Sequence, residues 1–302
     1  MIQRLRCPIC QQSTQTIFSR PFHLPQLQRM IARSGLADLL VERSYDVRAC
    51  RACDSYFQSW VMEENELANW YSPPADDSVF LQAIAKQKLH WFAHMIEEIL
   101  VFRQLCPERA PAVLDFGCNW GKWASAALAL GCNVYGVDVN RAAAGFCAQR
   151  GIKMIGFDQL GRSQFDFINV DQVLEHLSDP RSVTRQLAAC LKPGAFIKMS
   201  TPGNARLPKT LEAAQHSGND AVLNERTIDS LFPLEHVNLF SRRGLLNLGE
   251  KVGLQPFRLP LIKWLGAGQL WNIPRQFNRN LVVPFKRWLG RGTYLWLQKP
   301  PA

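Results

Sequence analysis

From residue 111 onward, short apolar runs alternate with longer segments in which apolar residues recur every three or four positions. The short runs are typical of buried strands, and the longer segments of helices that bury one face. The pattern predicts strands over 112–116, 133–137, 153–157, 165–170 and 195–200, and helices over 122–130, 141–150 and 180–191. Strands that alternate with helices predict an α/β fold built on a mostly parallel sheet, with helices on both faces.

The regions on either side of this pattern predict further elements. A strand over 44–49, a short helix over 63–71 and a long helix over 79–105 precede it, and a helix over 245–252 and strands over 253–259 and 292–299 follow it. The segment 72–77, Ser-Pro-Pro-Ala-Asp-Asp, interrupts the chain between two of these helices. We therefore predict two domains, a small one over 1–72 and a large one over 79–302.

Two Cys-x-x-Cys pairs lie in the small domain, formed by Cys7, Cys10, Cys50 and Cys53. Each pair supplies two thiolates from one tight bend, and zinc takes four such ligands in a tetrahedron. The alternative is two redox-active pairs. Two pairs in one short segment favour zinc, and a site closed by four protein ligands predicts a structural ion in a small zinc-ribbon subdomain.

The other five cysteines are scattered without a pairing pattern, and the first fifteen residues contain arginines but no apolar stretch of a signal peptide. Reduced, buried thiols are typical of a protein that stays in the cytoplasm. We therefore expect a cytoplasmic location. The sequence does not indicate an oligomeric state.

The net charge of +10 comes almost entirely from the end of the chain. Residues 251–302 hold nine Lys or Arg and no Asp or Glu, together with four of the nine tryptophans. Within them, the segment 263–291 interleaves aromatic and basic residues before the last strand. A basic amphipathic segment can contact a membrane surface or an anionic acceptor. We favour a third interpretation, a crossover helix that packs its aromatic side chains on the sheet.

A glycine-containing loop follows the first strand of the alternating region, and Asp138 follows the second. Glycine lets a ligand approach the backbone, and a carboxylate about 20 residues further on can accept hydrogen bonds from both hydroxyls of a ribose. The loop matches neither a P-loop nor the dinucleotide fingerprint. The pattern therefore predicts a nucleoside-bearing ligand without a pyrophosphate.

These motifs resemble those of class I S-adenosylmethionine-dependent methyltransferases, whose sheet is Rossmann-like. The resemblance is carried by Val-Leu-Asp-Phe-Gly-Cys-Asn-Trp-Gly over 113–121, Tyr-Gly-Val-Asp over 135–138, the segment 165–180, and Leu-Lys-Pro-Gly-Ala-Phe-Ile over 191–197. The cysteine pairs and the segment 235–241 are similar to the sugar C-methyltransferase branch, in which a zinc ribbon precedes the catalytic domain.

The resemblance implies S-adenosylmethionine as the cofactor. It implies that Asp115 and Gly117 shape the pocket for the methionine part, that Gly121 begins the following helix, and that Asp138 holds the ribose. Asn119 departs from the family pattern, because it replaces the middle glycine. Asn tolerates a left-handed backbone better than other side chains, but its side chain can crowd the cofactor.

Three residues after later strands complete the implied cofactor site. Asp158 would face the adenine, and Asp171 and Gln172 would border the sulfonium. Methyl transfer needs the acceptor atom, the methyl carbon and the sulfur in line, and a base only when the acceptor must lose a proton.

Two Glu-His pairs, Glu175-His176 and Glu235-His236, offer such a base. In the sugar C-methyltransferases the later pair supplies it, which implies His236 as the base with Glu235 in support and His176 as the other candidate. A tyrosine of that branch is replaced here by Pro233. The alternative is that both pairs are structural.

We therefore expect methyl transfer to a small-molecule acceptor, a sugar or nucleotide-sugar. One alternative is an RNA methyltransferase. Against a nucleic-acid partner, residues 1–60 hold eight basic and four acidic side chains, so the ribbon region is not the basic part of the chain. The other alternative is a non-catalytic protein whose cofactor pocket Asn119 has closed.

Overall fold

The computed structural model describes residues 1–32, 36, 38–63, 66, 89–259 and 292–301. In these residues the strands are β1 (Ile2–Gln3), β2 (Gln15–Pro21), β3 (Ser44–Cys50), β4 (Ser55–Gln58), β5 (Trp60–Val61), β6 (Ala112–Phe116), β7 (Asn133–Val137), β8 (Lys153–Met154), β9 (Phe165–Asp171), β10 (Leu191–Ser200), β11 (Asn238–Phe240), β12 (Gln255–Phe257) and β13 (Tyr294–Gln298). The helices are α1 (Pro25–Ile31), α2 (Leu89–Leu105), α3 (Lys122–Ala129), α4 (Arg141–Ala148), α5 (Pro180–Ala189), α6 (Leu207–Ser217), α7 (Glu225–Ile228) and α8 (Arg242–Glu250).

The chain divides into two units that do not follow the sequence from end to end. The first comprises Met1–Tyr71, Gln172–Arg185 and Ser200–Val252, and the second comprises Ser72–Asp171, Gln186–Met199 and Gly253–Ala302. The predicted boundary at 72–79 lies outside the described residues, and the predicted domains stay a prediction.

The second unit holds a seven-stranded sheet in the order β12-β13-β10-β9-β6-β7-β8. Strand β6 runs parallel to both β7 and β9, and β7 runs parallel to β8. Only the edge pair β12 and β13 is antiparallel among this sheet's pairs with an assigned register in the described residues. The mostly parallel α/β sheet flanked by helices is thus confirmed. Its core includes Val113, Ala124, Phe167 and Trp296.

The first unit holds a four-stranded sheet in the order β11-β4-β3-β2 and a small antiparallel pair of β1 and β5. Strand β11 pairs with β4, so that Asn238 lies opposite Phe57 across a long sequence separation. Aromatic residues from the start of the chain, such as Phe18 and Tyr45, share one buried cluster with Leu211 and Leu239. The N-terminal segment therefore forms one core with residues 200–252.

Most predicted elements match the structure, but the bounds of some differ. The strand predicted over 153–157 stops at Met154, and a 3₁₀ turn over Phe157–Arg162 follows. Helix α8 begins at Arg242, earlier than predicted, because the Ser241 hydroxyl accepts a hydrogen bond from Gly244 N and caps the first turn. Three predicted parts of the chain lie outside the described residues: most of the helix over 63–71, the start of the helix over 79–105 and the whole segment 263–291. Among the described helices, none has the length and apolar character that crossing a membrane requires.

Candidate functional site

The loop between β6 and α3 turns sharply through three residues with left-handed backbone. The φ angles of Gly117, Asn119 and Gly121 are +73°, +47° and +70°. Glycine adopts this conformation at no steric cost, and asparagine is among the side chains that tolerate it best. Gly117 N donates to Val137 O over 2.8 Å, which fixes the loop against the end of β7. Asn119 therefore preserves the turn at the position where the family pattern has glycine.

Asp138 joins this loop to the next one through both oxygens of its carboxylate. Its Oδ2 accepts from Asn119 N over 2.6 Å, and its Oδ1 accepts from Asn140 N over 2.8 Å. Burial raises the pKa of Asp138 above its usual value, while these backbone donors act in the opposite direction. A carboxylate has about four lone-pair positions, and the backbone donors leave capacity for a ligand hydroxyl. The geometry suits a residue that holds a ribose at the carboxyl ends of two parallel strands.

Side chains pack closely against Gly121 of this turn and against Gly136 of β7. A Cβ atom added to Gly121 would lie 2.7 Å from Cys147 Sγ, and one added to Gly136 would lie 2.7 Å from Met154 Sδ. Both positions therefore require glycine for space. The Asn119 side chain is exposed and accepts from Trp120 N over 2.8 Å.

Asp115 lies at the end of a buried hydrogen-bonded chain that sequence analysis did not predict. Asn169 Nδ2 donates to Asp115 Oδ1 over 2.7 Å, and Lys198 Nζ donates to Asn169 Oδ1 over 3.0 Å and to Asp171 Oδ1 over 2.9 Å. Burial raises the pKa of Asp115 to about 7, although Asn169 favours its charged form. Two predicted cofactor residues, Asp115 and Asp171, are thus connected through Asn169 and Lys198.

Glu98 of helix α2 completes this network. Its carboxylate lies 3.3 Å from Lys198 Nζ and accepts from Trp123 Nε1 over 3.1 Å and from the Tyr294 hydroxyl over 2.7 Å. Burial opposes the charge of Lys198, yet Asp171 and Glu98 favour it and hold its pKa above the usual value. Polar residues inside apolar strand sequences, such as Asn169 and Lys198, were the signal that could have identified the network.

The other two predicted cofactor residues, Asp158 and Gln172, are both exposed. Asp158 is exposed in the turn after β8, and its carboxylate folds back over Gly156. Gln172 is exposed, has a φ of +56°, and donates from its backbone N to Ser200 O over 3.0 Å. Their roles toward the cofactor stay predictions.

The two Glu-His pairs converge within the first unit. The ring centroids of His176 and His236 lie 4.9 Å apart, and Glu175 Oε1 lies 3.9 Å from His176 Nε2. Burial, followed by the neighbouring His236, lowers the pKa of His176 to about 4. His176 Nδ1 pairs with Glu235 O over 2.9 Å, so Glu235 contributes its backbone to the cluster. The catalytic roles of His236, Glu235 and His176 stay predictions.

Buried side chains of the N-terminal sheet support the segment before β11. Gln58 Nε2 donates to Phe232 O over 2.7 Å and to His236 O over 2.9 Å, and its Oε1 accepts from Leu234 N over 3.0 Å. Leu234 has a left-handed φ of +65°, a strained conformation for a branched side chain. Gln58 therefore holds the residues next to His236 in a fixed conformation.

The four predicted zinc ligands form one cluster. The sulfur atoms of Cys7, Cys10, Cys50 and Cys53 all lie within 4.8 Å of one another, and those of Cys10 and Cys50 are 3.6 Å apart. Zn–S bonds of about 2.3 Å in a tetrahedron place sulfur atoms about 3.8 Å apart.

The backbone around the cysteines has the shape of two matched knuckles. Ile9 N donates to Cys7 Sγ over 3.4 Å, and the residues after each second cysteine, Gln11 and Asp54, have φ angles of +61° and +52°. The geometry and the donor set fit a structural zinc ion. Helix α8 packs against the second Cys-x-x-Cys turn at Gly244, where an added Cβ would lie 3.3 Å from Cys53 O.

Comparison with known proteins matches this chain to methyltransferases. Residues 89–258 match a family model described as a methyltransferase domain. The chain is 31% identical over 156 residues to the ubiquinone biosynthesis O-methyltransferase of Albidiferax ferrireducens, covering 48% of this chain and 57% of that protein. It is 26% identical over 145 residues to the protein of the same name in Bordetella avium, covering 44% and 56%. The chain therefore spans little more than half the length of these relatives.

Two examples illustrate the solved methyltransferase structures that are similar to this chain. The plantazolicin methyltransferase BamL, in complex with a triazolic analogue and SAH, is 18% identical, with a TM-score of 0.45 and coverage of 77% of this chain and 94% of that one. An amino pentose methyltransferase from Micromonospora echinaspora is 19% identical, with a TM-score of 0.35 and coverage of 42% and 58%.

Proposed function

Because this chain belongs to the methyltransferase-domain family, we propose that it transfers the methyl group of S-adenosylmethionine to a small-molecule acceptor. The observation that carries the proposal is the Asp138 carboxylate, which accepts from Asn119 N and Asn140 N and retains capacity for a ribose hydroxyl. The left-handed turn at Gly117 holds the loop at the end of β6, where the resemblance implies the methionine part of the cofactor. S-adenosylmethionine supplies an electrophilic methyl group when it is bound.

For the acceptor we propose a sugar or nucleotide-sugar. The support is the combination of the four-cysteine cluster with two converging Glu-His pairs, which is the pattern that resembles the sugar C-methyltransferase branch. A second candidate is a hydroxyl group on a quinone precursor, because the curated relatives are named ubiquinone biosynthesis O-methyltransferases. Both are small molecules whose reacting atom must lose a proton.

For the removal of that proton we propose the Glu-His cluster, with His236 as the base that sequence analysis predicts. His236 Nδ1 pairs with Asp229 O over 2.5 Å. A carbonyl oxygen only accepts, so Nδ1 carries the hydrogen and Nε2 is the nitrogen that takes a proton. Glu235 supports the arrangement by accepting from His176 at its backbone oxygen.

For the four-cysteine cluster we propose a structural zinc ion rather than a reaction centre, because four thiolates leave no position for substrate. Its contribution to function is indirect. The cluster ends strand β3 and precedes strand β4, and β4 carries Gln58, which holds the His236 segment.

The test is incorporation of labelled methyl from S-adenosylmethionine into three acceptor panels: nucleotide-linked keto-sugars, polyprenylated catechols and bulk RNA. The proposal predicts product in the first panel and none with RNA. Product only with catechols would select the second candidate. Transfer to RNA alone would contradict a small-molecule acceptor. The Asp138→Asn variant serves as the matched control, because it keeps the size of the side chain and removes its charge.

A further inference from the structure

Glu175, His176 and His236 form a second cluster of metal-ligating side chains, separate from the four cysteines. One ligand atom from each residue lies within 4.8 Å of the other two. All three belong to the first unit. Two imidazoles and one carboxylate form a donor set that suits Mn²⁺, Fe²⁺, Co²⁺ or Zn²⁺.

Both imidazoles are oriented as metal-binding histidines usually are. His176 Nδ1 pairs with Glu235 O over 2.9 Å, and His236 Nδ1 pairs with Asp229 O over 2.5 Å. Each Nδ1 must carry the hydrogen, because its partner is a carbonyl oxygen. Each Nε2 therefore presents a lone pair. A second hydrogen bond of this kind fixes the tautomer and the ring orientation of most histidine ligands.

The carboxylate of Glu175 lies close to Nε2 of His176. Glu175 is 1% exposed, and its Oε1 lies 3.9 Å from His176 Nε2, which is too long for a hydrogen bond. Atoms bound at about 2.1 Å to one ion at tetrahedral angles are about 3.4 Å apart. The Glu175–His176 pair, at 3.9 Å, therefore needs to close by about half an ångström, and the widest separation, which is within 4.8 Å, by at most about 1.4 Å.

Hydrogen bonds hold both ligand-bearing segments in place. Asn238 Nδ2 donates to Leu174 O over 3.0 Å and to Leu177 O over 2.8 Å, on either side of His176. Gln58 Nε2 donates to His236 O over 2.9 Å. A metal site requires ligands that stay in position before the ion arrives, and these contacts supply that support.

We propose that Glu175, His176 and His236 bind one divalent transition-metal ion. Within the part of the chain that the structure describes, the site has three protein ligands, and an ion held by three ligands keeps further coordination positions open, unlike one in the closed four-cysteine cluster. Its catalytic consequence rests on the proposed function: the ion would bind the carbonyl or hydroxyl oxygen of the acceptor and make the proton of the reacting atom more acidic, so that this proton can pass to water. The general-base role proposed for His236 therefore belongs to the metal-free protein, because Nε2 cannot hold the ion and take a proton at once; with the ion bound, His236 is a ligand.

The test uses Mn²⁺, because this ion prefers nitrogen and oxygen ligands and leaves thiolate-bound zinc in place. The full-length protein with its zinc retained is titrated with Mn²⁺, and free Mn²⁺ is followed by electron paramagnetic resonance. The proposal predicts one bound Mn²⁺ per chain. His236→Ala and the isosteric Glu175→Gln should each weaken binding at least about 100-fold. His216→Ala, at an exposed histidine of α6 in the same unit, should bind as the unaltered protein does.

Absence of Mn²⁺ binding at millimolar concentration, or equal binding by the unaltered protein and both ligand variants, would overturn the metal site. Circular dichroism establishes that each variant is folded, and Glu175→Gln keeps the volume of the buried side chain. S-adenosylmethionine binding is measured on the same samples. Failure of the proposed function appears there, as loss of cofactor binding, and is independent of the Mn²⁺ result.

Discussion

Replacing Lys198 by Met should destabilise the protein strongly, because Lys198 pairs with the buried carboxylate of Glu98. The Lys198 side chain is 4% exposed and that of Glu98 is 2% exposed, and their charged atoms lie 3.3 Å apart. Removing one partner of a buried ion pair costs about 3–5 kcal/mol, because the other charge stays buried. Glu98 retains donors from Trp123 and Tyr294. We therefore expect a loss of about 3 kcal/mol, at the lower end of that range.

The measurement is urea denaturation followed by tryptophan fluorescence and far-ultraviolet circular dichroism. Lys192→Met is the matched control: this lysine lies on the same strand and pairs with Asp166 over 2.8 Å, but its side chain is 40% exposed. Exposed pairs contribute about 0–1 kcal/mol. The double variant Lys198→Met/Glu98→Gln should recover about half of the loss, because it removes the unpaired charge. Equal stability of Lys198→Met and Lys192→Met would refute the reasoning.

Three further predictions concern zinc, the His236 segment and pH. Purified protein should contain about one zinc atom per chain, and Cys53→Ser should lose it while Cys106→Ser, outside the cluster, retains it, as measured by metal analysis. Gln58→Leu should lower methyl transfer at least about tenfold with unchanged S-adenosylmethionine affinity, because the His236 segment loses its supports; a normal rate in labelled-methyl assays would contradict this. Burial raises the pKa of Asp115 to about 7, so the folded state holds that proton more tightly than the unfolded state, and stability from this group is lost as pH rises toward 7. As the pH rises from 5 to 8, the free energy of unfolding of Asp115→Asn should therefore increase by about 2–3 kcal/mol relative to that of the unaltered protein, as measured by urea denaturation. Parallel pH profiles of the two proteins would contradict this.

The parallel sheet could be predicted because its central strands are continuous apolar runs bounded by turn residues. The bounds predicted for β6 and β7, 112–116 and 133–137, agree with the structure. The predicted strand over 153–157 was too long, since only Lys153 and Met154 pair with β7 and the chain then turns at Gly156. Short edge strands have too few residues to show a recognisable pattern of apolar and polar positions.

Contacts between residues far apart in sequence could not be predicted. Strand β11 has three residues, and its pairing with β4 depends on how the whole first unit folds. Lys198 and Glu98 meet only because β10 and α2 lie together in the second unit. The local motifs therefore predict Asp138 and the four cysteines as site residues, whereas the supporting residues Gln58 and Lys198 required the structure.

Calorimetric titration with S-adenosylmethionine tests the central claim most directly. Asp138 is the residue to vary, because its carboxylate joins the loop at Asn119 to the loop at Asn140 and is proposed to hold the ribose. We predict one bound cofactor per chain and a loss of roughly 10–100-fold in affinity for Asp138→Asn, since hydrogen bonds to a charged group contribute about 1.5–3 kcal/mol. No binding of S-adenosylmethionine by the unaltered protein at millimolar concentration would contradict the claim, as would equal affinity of the Asp138→Asn variant.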